Sequence, residues 1–293
     1  MDLLDAFERV STKCRVVSPI PFCMTFAADK PTGLFVSAGI HGDEQTNIAA
    51  MLDFVSSHRE QLEAAPYSSS FAIGNPETVR ENRRYKVVDM NRSFGVEGLA
   101  QDVLRAKELV YAARKFPYIL DLHQTIEPTL RPFGIFPQTP TTEEFFSHLG
   151  SITDLIVSTS MSGDASKPVC FDEYMLHTFS ACAITVETGS IKGEQQSVVA
   201  CACEAMKNAL TYAKVLDGTV SAVPFRRWHQ VQFVHNHADT KIVSGLQNFT
   251  QVSEGEEIAY RESEKIRSEH KGIVLFPKYV PTTDRYLARI AIQ

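Results

Sequence analysis

Residues 33–55, GLFVSAGIHGDEQTNIAAMLDFV, join two patterns through a polar turn. GLFVSAGI (33–40) is a continuous apolar run of strand length, as expected for a strand buried on both faces. Residues 44–58, which contain NIAAMLDFV, read as a helix. The turn between them, SAGIHGDEQT (37–46), places His41 and Glu44 three residues apart, where the strand ends and the helix begins.

The same alternation runs outward from this stretch. SFAIGN (70–75) reads as a strand ended by Asn-Pro, with Ser68 to Ser70 taken as loop. Leu99, Val103, Leu104 and Val110 give helical spacing over 99–115. PYILDLH (117–123) and ACAITVET (181–188) read as two more buried strands, and residues 194–216 as a long helix. Such alternation up to about residue 215 predicts an α/β fold with a mixed, largely parallel sheet flanked by helices. The pattern changes after VLDGTVSAVP (215–224). RWHQVQFVH, KIVSGL, EIAYRE, GIVLFP and YLARIAI are short β-like pieces separated by Gly-containing turns. The chain therefore divides into a catalytic domain over 1–217 and a small C-terminal β domain over 218–293, too small to rely on its own core. Trp228, with Arg226 and Arg227, is placed at the join.

With 293 residues, 44% hydrophobic and 22% charged, the composition is that of an ordinary globular protein. A net charge of -6 and a pI of 5.9 argue against a nucleic-acid surface. MDLLDAFERV lacks the basic start and apolar core of a secretory signal. No apolar run approaches the ~20 residues needed to span a bilayer, so no membrane partner is expected. Six cysteines show no C-x-x-C spacing, and Cys201 and Cys203 read as packing residues of a helix. Reduced thiols fit a cytoplasmic protein.

A lone His-x-x-Glu pair carries little weight, but position carries more. Open parallel sheets bind ligands beyond the carboxyl ends of their strands. His41 ends the first buried strand, His123 ends ILDLH and Glu187 ends AITVE. Two imidazoles and a carboxylate, His41, Glu44 and His123, suit a catalytic zinc with one position open for water. Glu187 is then a further carboxylate able to take the proton of that water and deliver it to a leaving amine. The segment GNPETVRENRRYKVVDMNRSF (74–94) leaves a strand on the same edge with Arg80, Arg83, Arg84, Lys86 and the pair Asn91-Arg92. An arginine held there offers a fork for a carboxylate or an oxyanion. In VHNH (234–237), His235 and His237 lack a third ligand and read as an exposed strand face.

H-G-D-E, N-P followed by R-Y, D-M-N-R, D-L-H and V-E-T-G stand in an order that resembles the zinc carboxypeptidase-like hydrolases. The pattern is most similar to their succinylglutamate desuccinylase/aspartoacylase branch. NFTQVSEGEEIAY and IVLFPKYVPTTDRYLARI resemble the β domain of that branch, which lies near the active-site entrance. The resemblance implies that His41, Glu44 and His123 ligate zinc and that Glu187 is the general acid/base. It implies that Arg84 supports the scissile carbonyl, that Asn91 and Arg92 bind a substrate carboxylate, and that Tyr286 faces the substrate. One departure stands out. The branch carries a second carboxylate-binding Arg about ten residues before the catalytic Glu, where this chain has His177, read here as a helix-face residue. The implied reaction is hydrolysis of a small N-acyl amino acid with one Zn2+ per chain, leaving room for a second metal. Two alternatives stand beside it: a metallocarboxypeptidase acting on a short peptide, and a catalytically silent metal-binding protein. The acyl group and the oligomeric state are left open.

Overall fold

Both faces of the strand that precedes His41 are covered, which is why its sequence does not alternate. The structure, a computed structural model, describes residues 2–158, 170–279 and 285–293. Helix α1 (Leu3–Lys13) precedes strands β1 (Val16–Val17), β2 (Cys23–Phe26) and β3 (Thr32–Ala38). Then come α2 (Gln45–Ser57), α3 (Arg59–Ala64), β4 (Ser68–Ile73), α4 (Pro76–Arg80) and a 3-10 turn over Met90–Arg92. Helix α5 (Gln101–Ala113) leads into β5 (Tyr118–Thr125), β6 (Phe133–Phe136), α6 (Pro140–Ser147) and β7 (Asp154–Val157). Helix α7 (Phe171–Phe179), β8 (Cys182–Ser190) and α8 (Gln195–Tyr212) follow. The chain ends in β9 (Arg226–His235), β10 (Thr240–Ile242), β11 (Gln251–Val252), β12 (Glu257–Arg261), β13 (Glu264–Arg267), β14 (Gly272–Leu275) and β15 (Tyr286–Ile292).

One mixed sheet runs in the order β1-β2-β4-β3-β5-β8-β6-β7-β9-β15-β14-β11, and β10, β12 and β13 form a second. Pairing is parallel through β4-β3-β5-β8 and again through β6-β7-β9. The two-residue period of a strand sorts the core. Leu34, Val36, Leu120, Leu122, Ile184 and Val186 pack under α2 and α8. Their neighbours Phe35, Ile119 and Ala183 pack against α5 and α7. Asp121, His123, Thr185 and Glu187 continue this second row, so the polar ends of β5 and β8 lie on the α5/α7 side.

Ser68, Ser69 and Ser70 are buried in β4 rather than in a loop. Thr25 and Ser70 share a hydrogen bond of 2.7 Å between neighbouring strands, which lets small hydroxyls occupy a buried position. The C-terminal strands extend the main sheet, because β9 pairs in parallel with β7. Arg226 forks onto the buried Asp154 at 2.9 and 2.6 Å, and Trp228 Nε1 donates to the same carboxylate at 2.7 Å. Phe133, Ile156, Phe249, Ile273 and Leu275 form a core shared across this join. A separate cluster, including Val234, Ile258, Leu287 and Ile290, fills the space toward the second sheet. No helix among the described residues is long and apolar enough to cross a membrane.

Candidate active site

Strand β3 stops at Ala38, and the turn that follows delivers His41 and Glu44. Gly39 adopts a φ of +73°, which favours glycine. Gly42 serves close approach, since a Cβ there would lie 2.1 Å from the Thr78 carbonyl carbon of α4. The Gly42 N–H donates to the Arg84 carbonyl at 3.3 Å, tying the arginine-bearing segment to this turn. His123 projects from β5, one residue beyond the last β5 partner of β3.

Glu44 joins the two histidines. Its Oε1 lies 2.7 Å from His41 Nδ1 and its Oε2 lies 3.0 Å from His123 Nδ1. The three side chains are buried, and their ligand atoms lie within 4.8 Å of one another. Each ring anchors its other nitrogen on a carboxylate, His41 Nε2 on Asp89 at 3.1 Å and His123 Nε2 on Asp121 at 2.8 Å. Ser37 donates to Asp121 in turn at 2.7 Å. Outer carboxylates of this kind fix the tautomer and orientation of metal-ligating histidines. Two nitrogens and one oxygen turned toward one point could bind a divalent metal, and the donor set fits zinc with a position left open.

The electrostatics follow from burial and charge pairing. Burial and Arg84 both oppose a proton on His41, yet Glu44 and Asp89 prevail and raise its pKa. His123 is raised well above the ordinary range, with burial outweighed by Asp121 and Glu44. Glu44 is driven far below the carboxylate range, because the two histidines overcome its burial. Glu187 goes the other way, to about 7, because burial dominates and Glu44 adds to it, while His123 and Arg84 pull back. Its Oε2 is buried without a hydrogen-bond partner.

A sequence model of the succinylglutamate desuccinylase/aspartoacylase catalytic domain matches residues 31–213. The chain belongs to this family. The matched span holds every predicted site residue except Tyr286. Succinylglutamate desuccinylase of Pseudomonas aeruginosa (strain UCBPP-PA14) is 30% identical over 186 residues, covering 59% of this chain and 55% of the relative. The chain thus spans about half the length of that relative. The enzyme of the same name from Yersinia pestis (strain Pestoides F) is 25% identical over 273 residues, 83% of this chain and 78% of the relative. In fold, the chain is similar to crystal structures of succinylglutamate desuccinylases from Vibrio cholerae and Chromobacterium violaceum. The first gives a TM-score of 0.75 at 17% identity, covering 93% of this chain and 86% of the other. The second gives 0.72 at 17% identity, covering 98% of each.

His41, Glu44, His123, Glu187, Arg84, Asn91, Arg92 and Tyr286 all line one cavity of about 240 Å³. Arg84 Nη1 donates to Glu44 Oε1 at 3.2 Å. Asn91 Oδ1 accepts the Phe171 N–H at the start of α7, so its amide nitrogen is the end left for a ligand. Arg92 donates to the Asn91 carbonyl and to Cys170 Sγ. Tyr286 opens β15 on the far wall, its ring centroid 4.8 Å from that of Phe233. Residues 280–284 of the TTDRYLAR motif region lie outside the described residues. His177 sits exposed in the last turn of α7, away from the cavity. His235 and His237 are exposed. Asp89, Asp121, Asp172, Glu173 and Thr185 complete the site without having been singled out in the sequence. Asp121 had a signal: two residues before His123 in a strand, it shares the histidine's face.

Proposed function

We propose that this chain hydrolyses the amide bond of a small N-acyl amino acid with one zinc ion per chain. The observation that carries this reading is Glu187, a carboxyl that is not among the ligand group, set in the same cavity with a buried, unpartnered oxygen. Zinc on His41, Glu44 and His123 would supply a water of lowered pKa and polarise the substrate carbonyl. A carboxyl raised to about 7 suits proton transfer near neutrality. Glu187 would take a proton from the attacking water at Oε2 and return it to the amide nitrogen as the C–N bond breaks, so that the nitrogen departs as a neutral amine and not as an amide anion. Arg84, held in place by Glu44, supports the carbonyl oxygen as charge develops there. The Asn91 amide nitrogen and Arg92 hold a carboxylate, and Tyr286 narrows the opening from the C-terminal strands.

A cavity of about 240 Å³ walled in part by residues from β9 and β15 favours a small substrate over a peptide. In this reading residues 218–293 act as a β domain packed near the entrance. The six free cysteines support a cytoplasmic setting. The named relatives make N-succinylglutamate the first compound to try. The test is amine release by zinc-loaded protein from a panel of N-acyl amino acids beside peptides with free C-termini, before and after chelation. Release from an acyl amino acid is expected, lost on chelation and lowered roughly 10²–10⁴-fold in Glu187→Gln. Release from peptides alone would make the chain a carboxypeptidase, and normal turnover by Glu187→Gln would remove the proton role.

A further inference from the structure

The first turn of α7 carries two acidic side chains that the reaction above leaves unused. Asp172 and Glu173 are 4% and 6% exposed, and both line the catalytic cavity. Neither forms an ion pair with another described residue; the Asp172 carboxylate accepts from the Glu173 backbone N–H, which carries no charge to balance it. Arg92, on the same wall, donates instead to the Asn91 carbonyl and to Cys170 Sγ. A helix N-terminus favours acidic residues only weakly. Burying an unpaired carboxylate costs far more than that, so the helix end alone does not account for two.

A second observation points to what completes the pair. Thr185 is 5% exposed and lines the same cavity, and its Oγ1 is buried with no hydrogen-bond partner. It lies on β8, the strand against which α7 packs, and is registered opposite Asp121. Asp121 is in turn the charged neighbour that Asp172 feels most strongly. Two carboxylates and a hydroxyl acceptor match the three donors of an ammonium group.

We infer that the cavity takes an N-acyl amino acid whose side chain ends in an amine, with the ammonium between Asp172 and Glu173 and the Thr185 hydroxyl. This rests on the deacylase reading and narrows it to a cationic substrate class. A carboxylate on Arg92 and an ammonium on the acidic pair would fix both ends of the amino acid and leave the acyl group toward Tyr286.

The test uses the full zinc-loaded chain with N-acetyl and N-succinyl derivatives of ornithine and lysine, of the neutral norvaline and norleucine, and of glutamate. The amine-bearing compounds are expected to give kcat/KM at least about tenfold above their neutral counterparts, because an unpaired buried carboxylate penalises the neutral chain. In Glu173→Gln, and separately in Asp172→Asn, the ratio of kcat/KM for the amine-bearing compounds over their neutral counterparts should collapse toward one. Equal or preferred turnover of neutral or glutamate compounds would overturn the inference and leave the deacylase reading standing. If no compound is turned over, calorimetry of free ornithine against norvaline and glutamate decides. Selective ornithine binding, lost in Glu173→Gln, keeps the subsite and removes the deacylase reading; absence of selectivity removes both. Melting temperatures of the variants separate loss of recognition from loss of fold.

Discussion

Asp121 touches no substrate in the proposed reaction, yet it sets the nitrogen that His123 presents. Its Oδ2 lies 2.8 Å from His123 Nε2, so Nδ1 is the nitrogen left to face Glu44 and the metal position. Asp121→Asn removes the charge while keeping the shape. Zinc affinity should fall 10–100-fold, as is usual when such an outer partner is lost, and competition with a chromogenic chelator would measure it. Unchanged affinity would mean that Ser37 and the strand alone orient the ring. Asp172 offers a prediction in stability. Burial raises its pKa from the model-compound 3.8 to about 7, with Asp121 adding to the effect. Between those two values the folded state holds the proton that the unfolded state has released, so its contribution to stability falls as pH rises and is flat above about 7. Asp172→Asn removes this dependence. Relative to wild type it should gain stability steadily from pH 5 to 7 and hold that gain at pH 8.5, read from urea midpoints. A difference independent of pH would show that Asp172 is not burdened by its burial. At this scale the candidate ligand group and Glu187 could be picked out because each sits where a recognisable strand meets a polar motif, and the structure brings them to one cavity. Glu173 could not, because nothing in FDEYMLHTF marks which of its polar residues turn inward.

At the scale of elements, the site depends on how closely the turn after β3 meets α4. Gly42 lies against the Thr78 backbone, with a substituted Cβ only 2.1 Å from its carbonyl carbon and 2.3 Å from its oxygen. Neither atom is a flexible side-chain end, so the turn and α4 must separate in Gly42→Ala. The cost should be at least about 1–3 kcal/mol, typical of an overpacked interior. Because His41 and Glu44 flank this position, zinc retained after dialysis should fall along with the melting temperature. A variant that melts lower but keeps a full equivalent of zinc would show that the turn relaxes without moving its ligands. The central strands and their helices were readable from continuous apolar runs and helical spacing. The serines of β4 misled that reading because strand burial there rests on Thr25 and Ser70 pairing across the sheet, a contact 45 residues apart in the chain. The short β6 and β7 were missed for a related reason: four residues each give too little pattern to separate them from loop.

For the whole molecule, the question is what holds the C-terminal strands over the cavity. Phe233, Phe276, Tyr286 and Arg289 all come from that region and line the same space as the ligands. The sequence showed a change of pattern near residue 217 and placed Trp228 at the join. It did not show that β9 would continue the main sheet, because strand partners are set by long-range register. Asp154 is the polar centre of that join, buried in β7 and receiving Arg226 and Trp228 from β9. Asp154→Asn keeps the volume but loses the charge that draws the Arg226 fork. The loss should be about 1.5–3 kcal/mol, the usual worth of hydrogen bonds to a charged group. The consequence for activity should be uneven. His41, Glu44, His123 and Glu187 stand on β8, on β5 and in the turn after β3, away from the join, so kcat should change little. The far wall rides on β9 and β15, so loosening the join should raise KM. Denaturant unfolding and steady-state kinetics on one acyl amino acid measure both quantities together. A fall in kcat at constant KM would mean that the join acts on the metal site itself and not on the wall that receives the substrate.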